Sequence, residues 1–259
     1  MPSIEELGGL WRRSMIAYAD GSCDTTTEVR WMQGPRMFID LRQPAPARDF
    51  AGVRCLDDLS MADVEWLATQ EGFAGELAVA GAYFEWRRWI DYQPPSGRAD
   101  AGSLEWTEDR LIERGRDVRY TEHWHRDESL SKTPCAALHL REVGVPTMAL
   151  VLRVGQAFMF ARDRAVPLPA LGRLRDCVAA AASLSEARAL IDCEISLGTV
   201  TGGDFRITAS TLPYRRGARL GLRVEHHVAV QSDRDAAGIR RTRMWDIVEC
   251  EGDMVSGFQ

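Results

Sequence analysis

The amino-acid sequence predicts an all-β fold with one or two helices per half, arranged as two tandem antiparallel β-barrels. Short segments of β-type residues recur along the chain, separated by turns rich in glycine, aspartate and proline. The two halves also come into register at a shift of 121 residues, which sets Gly34 over Gly155, Phe38 over Met159 and Trp124 over Trp245. Solenoid repeats have periods of ~20–50 residues, so this longer period indicates two copies of a whole domain.

Composition restricts the class of protein. The chain has 259 residues, enough for two domains of ~120–130 residues. Its net charge of −6 gives no attraction to phosphate backbones, so we expect no nucleic-acid partner. No apolar run reaches the ~18–20 residues of a membrane helix, and the N-terminus lacks a signal-peptide pattern, so we expect a cytoplasmic protein with no membrane partner. The six cysteines show no paired spacing and are expected to be reduced.

The first half, residues 1–128, is predicted to hold eight strands and one helix. Ser60, followed three residues later by Asp63, resembles a capping box and starts the helix. The predicted strands lie near residues 11–19, 24–33, 36–42, 74–81, 83–92, 103–107, 109–114 and 117–126.

The polar segment from Ser129 to Pro134 is the predicted domain boundary, and the second half spans residues 133–259. A helical region from Leu168 to Ile191 is expected, with Ser185 capping a second short helix. The predicted strands lie near residues 135–142, 146–154, 157–162, 193–200, 204–211, 219–232 and 240–250. About eight strands per half favour closed barrels, since closure removes exposed sheet edges. The alternative is one continuous sheet shared by both halves.

Strand alternation predicts what the first barrel encloses. Alternate side chains face opposite sides of a strand, so Trp86 and Arg88 share the inward face of one strand. By the same rule Tyr120, Glu122 and Trp124 point inward from another. Apolar walls with a few polar groups are typical of small-molecule sites. The alternatives are that Arg88 and Glu122 simply pair with each other, as buried charges require, or that Arg88 emerges at the rim.

Histidines offer weaker candidates. His226 is predicted to face inward with neighbouring valines, either as a hydrogen-bonded core residue or in a cavity role that includes haem ligation. His123 and His125 share an outward face, and no third ligand accompanies them. We therefore expect no metal site and no cofactor.

Two segments resemble known families. Gly9-Leu10-Trp11 resembles the G-x-W of lipocalin and calycin barrels, in which the tryptophan closes one barrel end. Segments 72–76, 86–94 and 120–126 resemble the family of the fungal protein HRI1 and its bacterial relatives. That resemblance implies two tandem calycin-like barrels over essentially the whole chain, and no catalytic residues.

Three functions remain open. The first is an uncharacterised, non-catalytic protein that binds a small apolar or amphipathic ligand in the first barrel. The second is a protein–protein interaction module with solidly packed barrels, supported by the outward-facing Trp89. The third is a barrel-type enzyme with Glu122 or His226 as general acid or base. The sequence leaves a homodimer open.

Overall fold

The protein, seen in a computed structural model that describes residues 1–130, 133–170, 172–252 and 258, contains two antiparallel sheets, one from each half of the chain. The strands of the first sheet are β1 Gly9–Tyr18, β2 Cys23–Asp24, β3 Glu28–Gln33, β4 Met37–Gln43, β5 Glu71–Ala80, β6 Tyr83–Asp91, β7 Ala101–Trp106, β8 Leu111–Gly115 and β9 Tyr120–Arg126. The strands of the second are β10 Cys135–Glu142, β11 Met148–Val154, β12 Ala157–Arg162, β13 Glu194–Thr201, β14 Asp204–Ser210, β15 Leu222–Glu225, β16 Val228–Arg234 and β17 Arg240–Gly252.

Four short helices accompany the strands over the described residues. They are α1 Ile4–Leu7, α2 Met61–Leu67, α3 Leu174–Ala179 and α4 Leu184–Ile191. The predicted capping box of α2 is confirmed, since the Asp63 amide donates to the Ser60 hydroxyl and the Ser60 amide donates to the Asp63 carboxylate at 2.9 Å. The predicted cap at Ser185 is wrong. Ser183 caps α4, because its hydroxyl lies three residues before the Glu186 amide and accepts from it at 3.1 Å.

The first sheet closes on itself. Strand β1 pairs with β3 on one side, where Trp11 lies opposite Trp31, and with β9 on the other, where Trp11 lies opposite Arg126. Eight strands, β1 and β3 to β9, thus form an antiparallel barrel, and only the two-residue β2 extends beyond it. Closure satisfies the edge groups that an open meander would expose.

The second sheet curls into a half-barrel. Its order is β14-β13-β12-β11-β10-β17-β16-β15, and no strand ladder joins the two outer strands within the described part of the chain. A single bridge joins Arg206 on β14 to Arg219, which lies just before β15, and beside it the Leu220 amide donates to the Phe205 carbonyl at 2.9 Å. The protein is therefore mostly β, with two tandem barrel-like units rather than one shared sheet.

The order of elements confirms the internal repeat. Strands β1 and β3 to β9 correspond in order to β10 to β17, and helices follow the third strand of each unit. Trp124 on β9 matches Trp245 on β17, as predicted. The indole of Trp124 donates to Glu113 on β8 at 3.1 Å, and that of Trp245 donates to Gln231 on the equivalent strand β16 at 3.2 Å.

The predicted match of Gly34 with Gly155 is one residue out of register. Phe38 points into the first barrel and Phe158 into the second, whereas Met159 packs between the two units. Phe38 therefore corresponds to Phe158 rather than to Met159. A shift of one residue along a strand reverses the face of every side chain, so the two faces agree only when the offset is 120 residues. With this offset Gly34 corresponds to Val154.

The two units share a hydrophobic core. One cluster of buried residues draws on the outer face of β4, the helices and the outer faces of β11 to β13. Hydrogen bonds cross the same interface: the Gln70 side chain donates to the Thr211 carbonyl at 3.0 Å, and Arg164 Nη2 donates to the Tyr92 carbonyl at 2.7 Å. The outer surface of each unit is thus partly an interior surface of the molecule.

The chain passes between the units from Arg126 to Cys135. Ser131 and Lys132 of the predicted boundary lie outside the described residues. The division into domains 1–128 and 133–259 stays a prediction. Because the two units share a hydrophobic core, separating them would expose buried apolar residues of both.

Candidate functional site

The first barrel is closed at one end. Helix α1 places the fully buried Leu7 in the barrel core, where its carbonyl accepts a hydrogen bond from Trp11 Nε1 at 2.7 Å. Trp11 stacks on Trp31, with ring centroids 5.5 Å apart, and the Arg126 guanidinium lies 4.7 Å from the Trp11 ring centre. The Gly9-Leu10-Trp11 segment therefore seals this end.

A cavity of about 590 Å³ occupies the opposite end of the barrel. All five first-barrel residues that the sequence predicts as a ligand site line this cavity: Trp86, Arg88, Tyr120, Glu122 and Trp124. The volume lies within the ~300–1,000 Å³ typical of small-molecule sites. The wall also includes aromatic and charged residues from five other strands: Tyr18, Trp31, Asp40, Arg42, Phe73 and Glu113.

The cavity floor carries two buried ion pairs. Arg13 Nη1 donates to Glu122 Oε1 at 2.5 Å, and Arg42 Nε donates to Asp40 Oδ1 at 2.8 Å. Arg42 also approaches Glu122, with 3.8 Å between Nη1 and Oε1. These four side chains balance in charge, as buried ions must.

Glu113 lacks such a partner. Its side chain is buried, with the residue 4% exposed. Its Oε1 accepts from the Tyr120 hydroxyl at 2.7 Å and its Oε2 accepts from Trp124 Nε1 at 3.1 Å. No arginine of the described chain has a nitrogen within 4.0 Å of this carboxyl group. Glu113 also lies directly across the β8–β9 ladder from Glu122.

Burial sets the protonation of these acids. Burial raises the pKa of Glu113 well above its usual 4.5, and the nearby Glu122 carboxylate raises it further. Burial also raises the pKa of Glu122 and of Asp40, although Arg42 and the other nearby arginines oppose this. Burial and the Glu113 carboxylate raise the pKa of Tyr120. Glu113 is thus the acid of the cavity that most favours its neutral form.

Arg88 does not pair with Glu122. It lies at the cavity mouth, where Nη1 bonds Asp91 at 2.8 Å and Nη2 bonds Asp100 at 2.6 Å. Its guanidinium also covers the Phe73 ring at 3.5 Å from the ring centre. The register of β5 and β6 shifts just before Gly75, opposite Arg88, so strict alternation does not hold there. The predicted rim position is the alternative that the structure supports.

Trp89 does not form a free docking surface. It is half-buried and packs against the core shared by the two units. Its ring lies 4.8 Å from that of His139 on β10. The prediction that Trp89 points outward from the first barrel is correct, but the second unit covers the side chain.

His226 lies on an exposed turn rather than in a barrel. The predicted strand 219–232 is two strands, β15 and β16, and the chain reverses at His226 and His227. His226 has a φ of 59°, the left-handed conformation that such tight hairpin turns require. It is therefore neither a core histidine nor a general acid or base inside a barrel, and haem ligation inside the barrel is excluded for it.

His123 and His125 lie on the outer face of β9, as predicted. His125 Nε2 lies 3.0 Å from the Ser14 hydroxyl, and His123 Nδ1 lies 3.4 Å from Arg110 Nη1. Burial lowers the pKa of both imidazoles, and Arg110 lowers that of His123 further. No group of three or more metal-ligating side chains occurs among the described residues.

The sequence reasoning missed Arg13, Asp40, Arg42 and Glu113. On β4 the polar Asp40 and Arg42 alternate with three apolar residues, and the apolar face would ordinarily be assigned to the barrel interior. That face instead packs against the second unit. The sequence did contain one signal, which is the pair of charged residues Asp40 and Arg42 on the same face of β4. When both faces of a strand are buried, such charges must pair inside the protein.

The corresponding end of the second unit holds a larger network of ion pairs. Arg243 on β17 pairs with Glu142 on β10 at 2.6 Å and with Asp233 at 2.7 Å, and Arg215 pairs with Glu194 at 2.9 Å. The cavity beside this network measures about 290 Å³. In the first barrel the arginine is on the first strand, β1, and the glutamate is on the last, β9. In the second unit the glutamate is on the first strand, β10, and the arginine is on the last, β17.

A larger depression of about 710 Å³ lies between the units and shares its rim with the first-barrel cavity. Arg88 and Asp100 belong to both walls, and Arg164 contributes from the second unit. Among its charged groups, Arg88 binds Asp91 and Asp100, and Arg164 binds backbone carbonyls of β6 and the loop after it.

Comparison with known proteins shows the fold alone. The crystal structure of the uncharacterized protein YLR301w from Saccharomyces cerevisiae is similar, with a TM-score of 0.54 and 12% identity, over 93% of this chain and 98% of that one. A DNA polymerase sliding clamp from Pseudomonas aeruginosa aligns with a TM-score of 0.16 at 8% identity, over 97% of this chain and 79% of that one, which supports no argument. No family model and no curated protein matches the chain. Among the described residues, no helix has the length and apolar character needed to cross a membrane.

Proposed function

We propose that this protein binds a small amphipathic molecule in the cavity of the first barrel. The observation that carries the proposal is an open cavity of about 590 Å³ whose walls are aromatic and whose floor holds a buried carboxyl group, Glu113, without a cationic partner. Burying ionisable groups lowers stability unless their contacts compensate for it. A site that retains them around an open space is typical of ligand binding.

An unpaired indole N–H in the cavity wall also supports the binding of a ligand there. Trp31 lines the cavity and is 1% exposed, yet its Nε1 has no hydrogen-bond partner among the described residues. A buried N–H without an acceptor lowers stability, and most such groups in proteins are paired. A bound molecule with a polar group near this indole would relieve that deficit.

The interaction-module alternative loses its main support, since Trp89 is covered by the second unit. The enzyme alternative retains Glu122 and loses His226. We further infer kinship with the HRI1-like family of tandem calycin-like barrels, because the resembling segments and the overall fold agree, and we keep the prediction of a cytoplasmic protein.

Binding is tested with phenylnaphthylamine, an uncharged fluorophore whose emission rises in apolar sites. Val118 lies at the cavity mouth and is 48% exposed, whereas Val143 belongs to the second unit and is 51% exposed. We expect the native chain and Val143→Trp to bind the probe equally. Val118→Trp should bind it several-fold more weakly, because the indole narrows the mouth. No saturable binding, or equal binding by both variants, would refute the first-barrel site. Native mass spectrometry of the purified protein would identify a co-purified ligand directly.

A further inference from the structure

The ion pairs in the first-barrel cavity indicate the charge of the ligand that would fit it. Each buried acid of the floor except Glu113 has an arginine: Asp40 has Arg42 and Glu122 has Arg13. At the mouth, Asp100 has Arg88. Glu113 alone among these buried carboxyl groups receives only neutral donors, from a tyrosine hydroxyl and an indole.

The surroundings of Glu113 suit an organic cation. The cavity wall presents three indoles and a phenol, from Trp31, Trp86, Trp124 and Tyr120. Aromatic faces attract ammonium groups, and cages of such rings recognise ligand cations in other proteins. A carboxylate at the base of such a cage adds direct ion pairing in a site largely screened from water.

Anions fit the cavity less well. Of the arginines on the wall, Arg42 and Arg88 are already bound to carboxylates, and Arg98 is exposed on the loop at the mouth. A ligand carboxylate placed near the floor would face Glu113 and Glu122, which lie directly opposite each other.

We infer that the occupant is an organic amine with an apolar body, whose ammonium group pairs with the Glu113 carboxylate inside the first barrel. This inference rests on the proposed ligand-binding function. Because burial raises the pKa of free Glu113, the cation displaces a proton from it. Binding therefore releases up to one proton and strengthens as the pH rises, as long as the amine keeps its own proton.

The test is isothermal titration with three naphthalene derivatives of similar size: naphthylmethylamine, naphthylmethanol and naphthoate. The native protein should bind the amine at least about tenfold more tightly than the alcohol, and the carboxylate least well, since a charge-assisted bond contributes that much. Titrations in two buffers of different ionisation enthalpy should show proton release with the amine only.

Two variants separate the outcomes. Glu113→Gln keeps an acceptor for the Tyr120 hydroxyl and should lose both the tenfold preference for the amine over the alcohol and the proton release. Glu105→Gln removes the same charge from an exposed position on β7 and should behave like the native protein. Failure of all three compounds to bind would refute the proposed function itself. Binding of the alcohol or the carboxylate as tightly as the amine, or an amine preference that survives in Glu113→Gln, would refute only the choice of an amine.

Discussion

At the scale of single residues, the buried acids of the first barrel differ in what surrounds them. Glu122 has the Arg13 guanidinium at 2.5 Å, so its removal leaves a buried cation without its partner. We expect Glu122→Gln to lower the free energy of unfolding by about 3–5 kcal/mol in urea denaturation. His123→Ala, on the opposite face of the same strand, should change it by about 0.5 kcal/mol or less. Equal losses in the two variants would show that the strand faces are assigned incorrectly.

Glu113 should behave in the opposite way, because its neutral form is the favoured one. The pKa of Glu113 is raised in the folded protein, so the folded state holds a proton that the unfolded state releases above about pH 4.5. This contribution to stability is fully present below the unfolded pKa and is lost as the pH rises through the folded pKa. Glu113→Gln cannot ionise and should therefore gain stability relative to the native protein as the pH rises from 4.5. Denaturation curves measured from pH 4.5 upward check the sign, and a constant difference would contradict it.

At the scale of elements, the two units keep the same ion pair with the charges exchanged. Arg13 on β1 pairs with Glu122 on β9, while Glu142 on β10 pairs with Arg243 on β17. These are the first and last strands along the chain in each unit, and in both units they pair with each other. We expect Arg13→Glu and Glu122→Arg each to destabilise the first barrel. Their combination should recover part of the loss, because it recreates the polarity of the second unit. A double-mutant cycle measures this coupling, and strict additivity would contradict it.

The units also share a glycine at one irregular position. Gly75 on β5 and Gly198 on the equivalent β13 both lie at a register shift. A Cβ at Gly75 would come within 1.9 Å of the Arg87 carbonyl oxygen, and one at Gly198 within 2.3 Å of the Phe158 ring. Either change to alanine should therefore cost about 1–3 kcal/mol or more through overpacking. Thr199→Ala, at an exposed neighbour of Gly198, is the control and should leave the denaturation midpoint nearly unchanged.

At the scale of the whole molecule, the core between the units should make unfolding cooperative. Leu152 on β11 is fully buried in that core, together with Met37 of the first unit and Ile195 of the second. We expect a single calorimetric transition for the native chain. Leu152→Ala should lower that transition as a whole, with a loss of about 2–5 kcal/mol. Two separate transitions, of which the substitution moves only one, would show instead that each unit folds independently.

The sequence by itself determined the local features of this protein. Strand segments, the Ser60 cap, the tandem order of elements and the inward aromatic side chains follow from periodicity and turn chemistry within a few residues. The same alternation rule correctly places Trp86, Tyr120, Glu122 and Trp124 on the wall of one cavity. These features could be predicted because each depends on neighbours along the chain.

Only the tertiary structure decided which side chains meet. Glu122 pairs with Arg13 rather than Arg88, since β9 lies beside β1 and the barrel closes there. Trp89 is covered because the second unit packs on the first. The same packing buries both faces of β4, so its apolar face is not the one that points into the barrel. The sequence pattern alone therefore does not show that Asp40 points inward. The physical reason is that pairing across strands depends on closure, register shifts and contact between units, which join residues far apart in sequence and leave no local pattern.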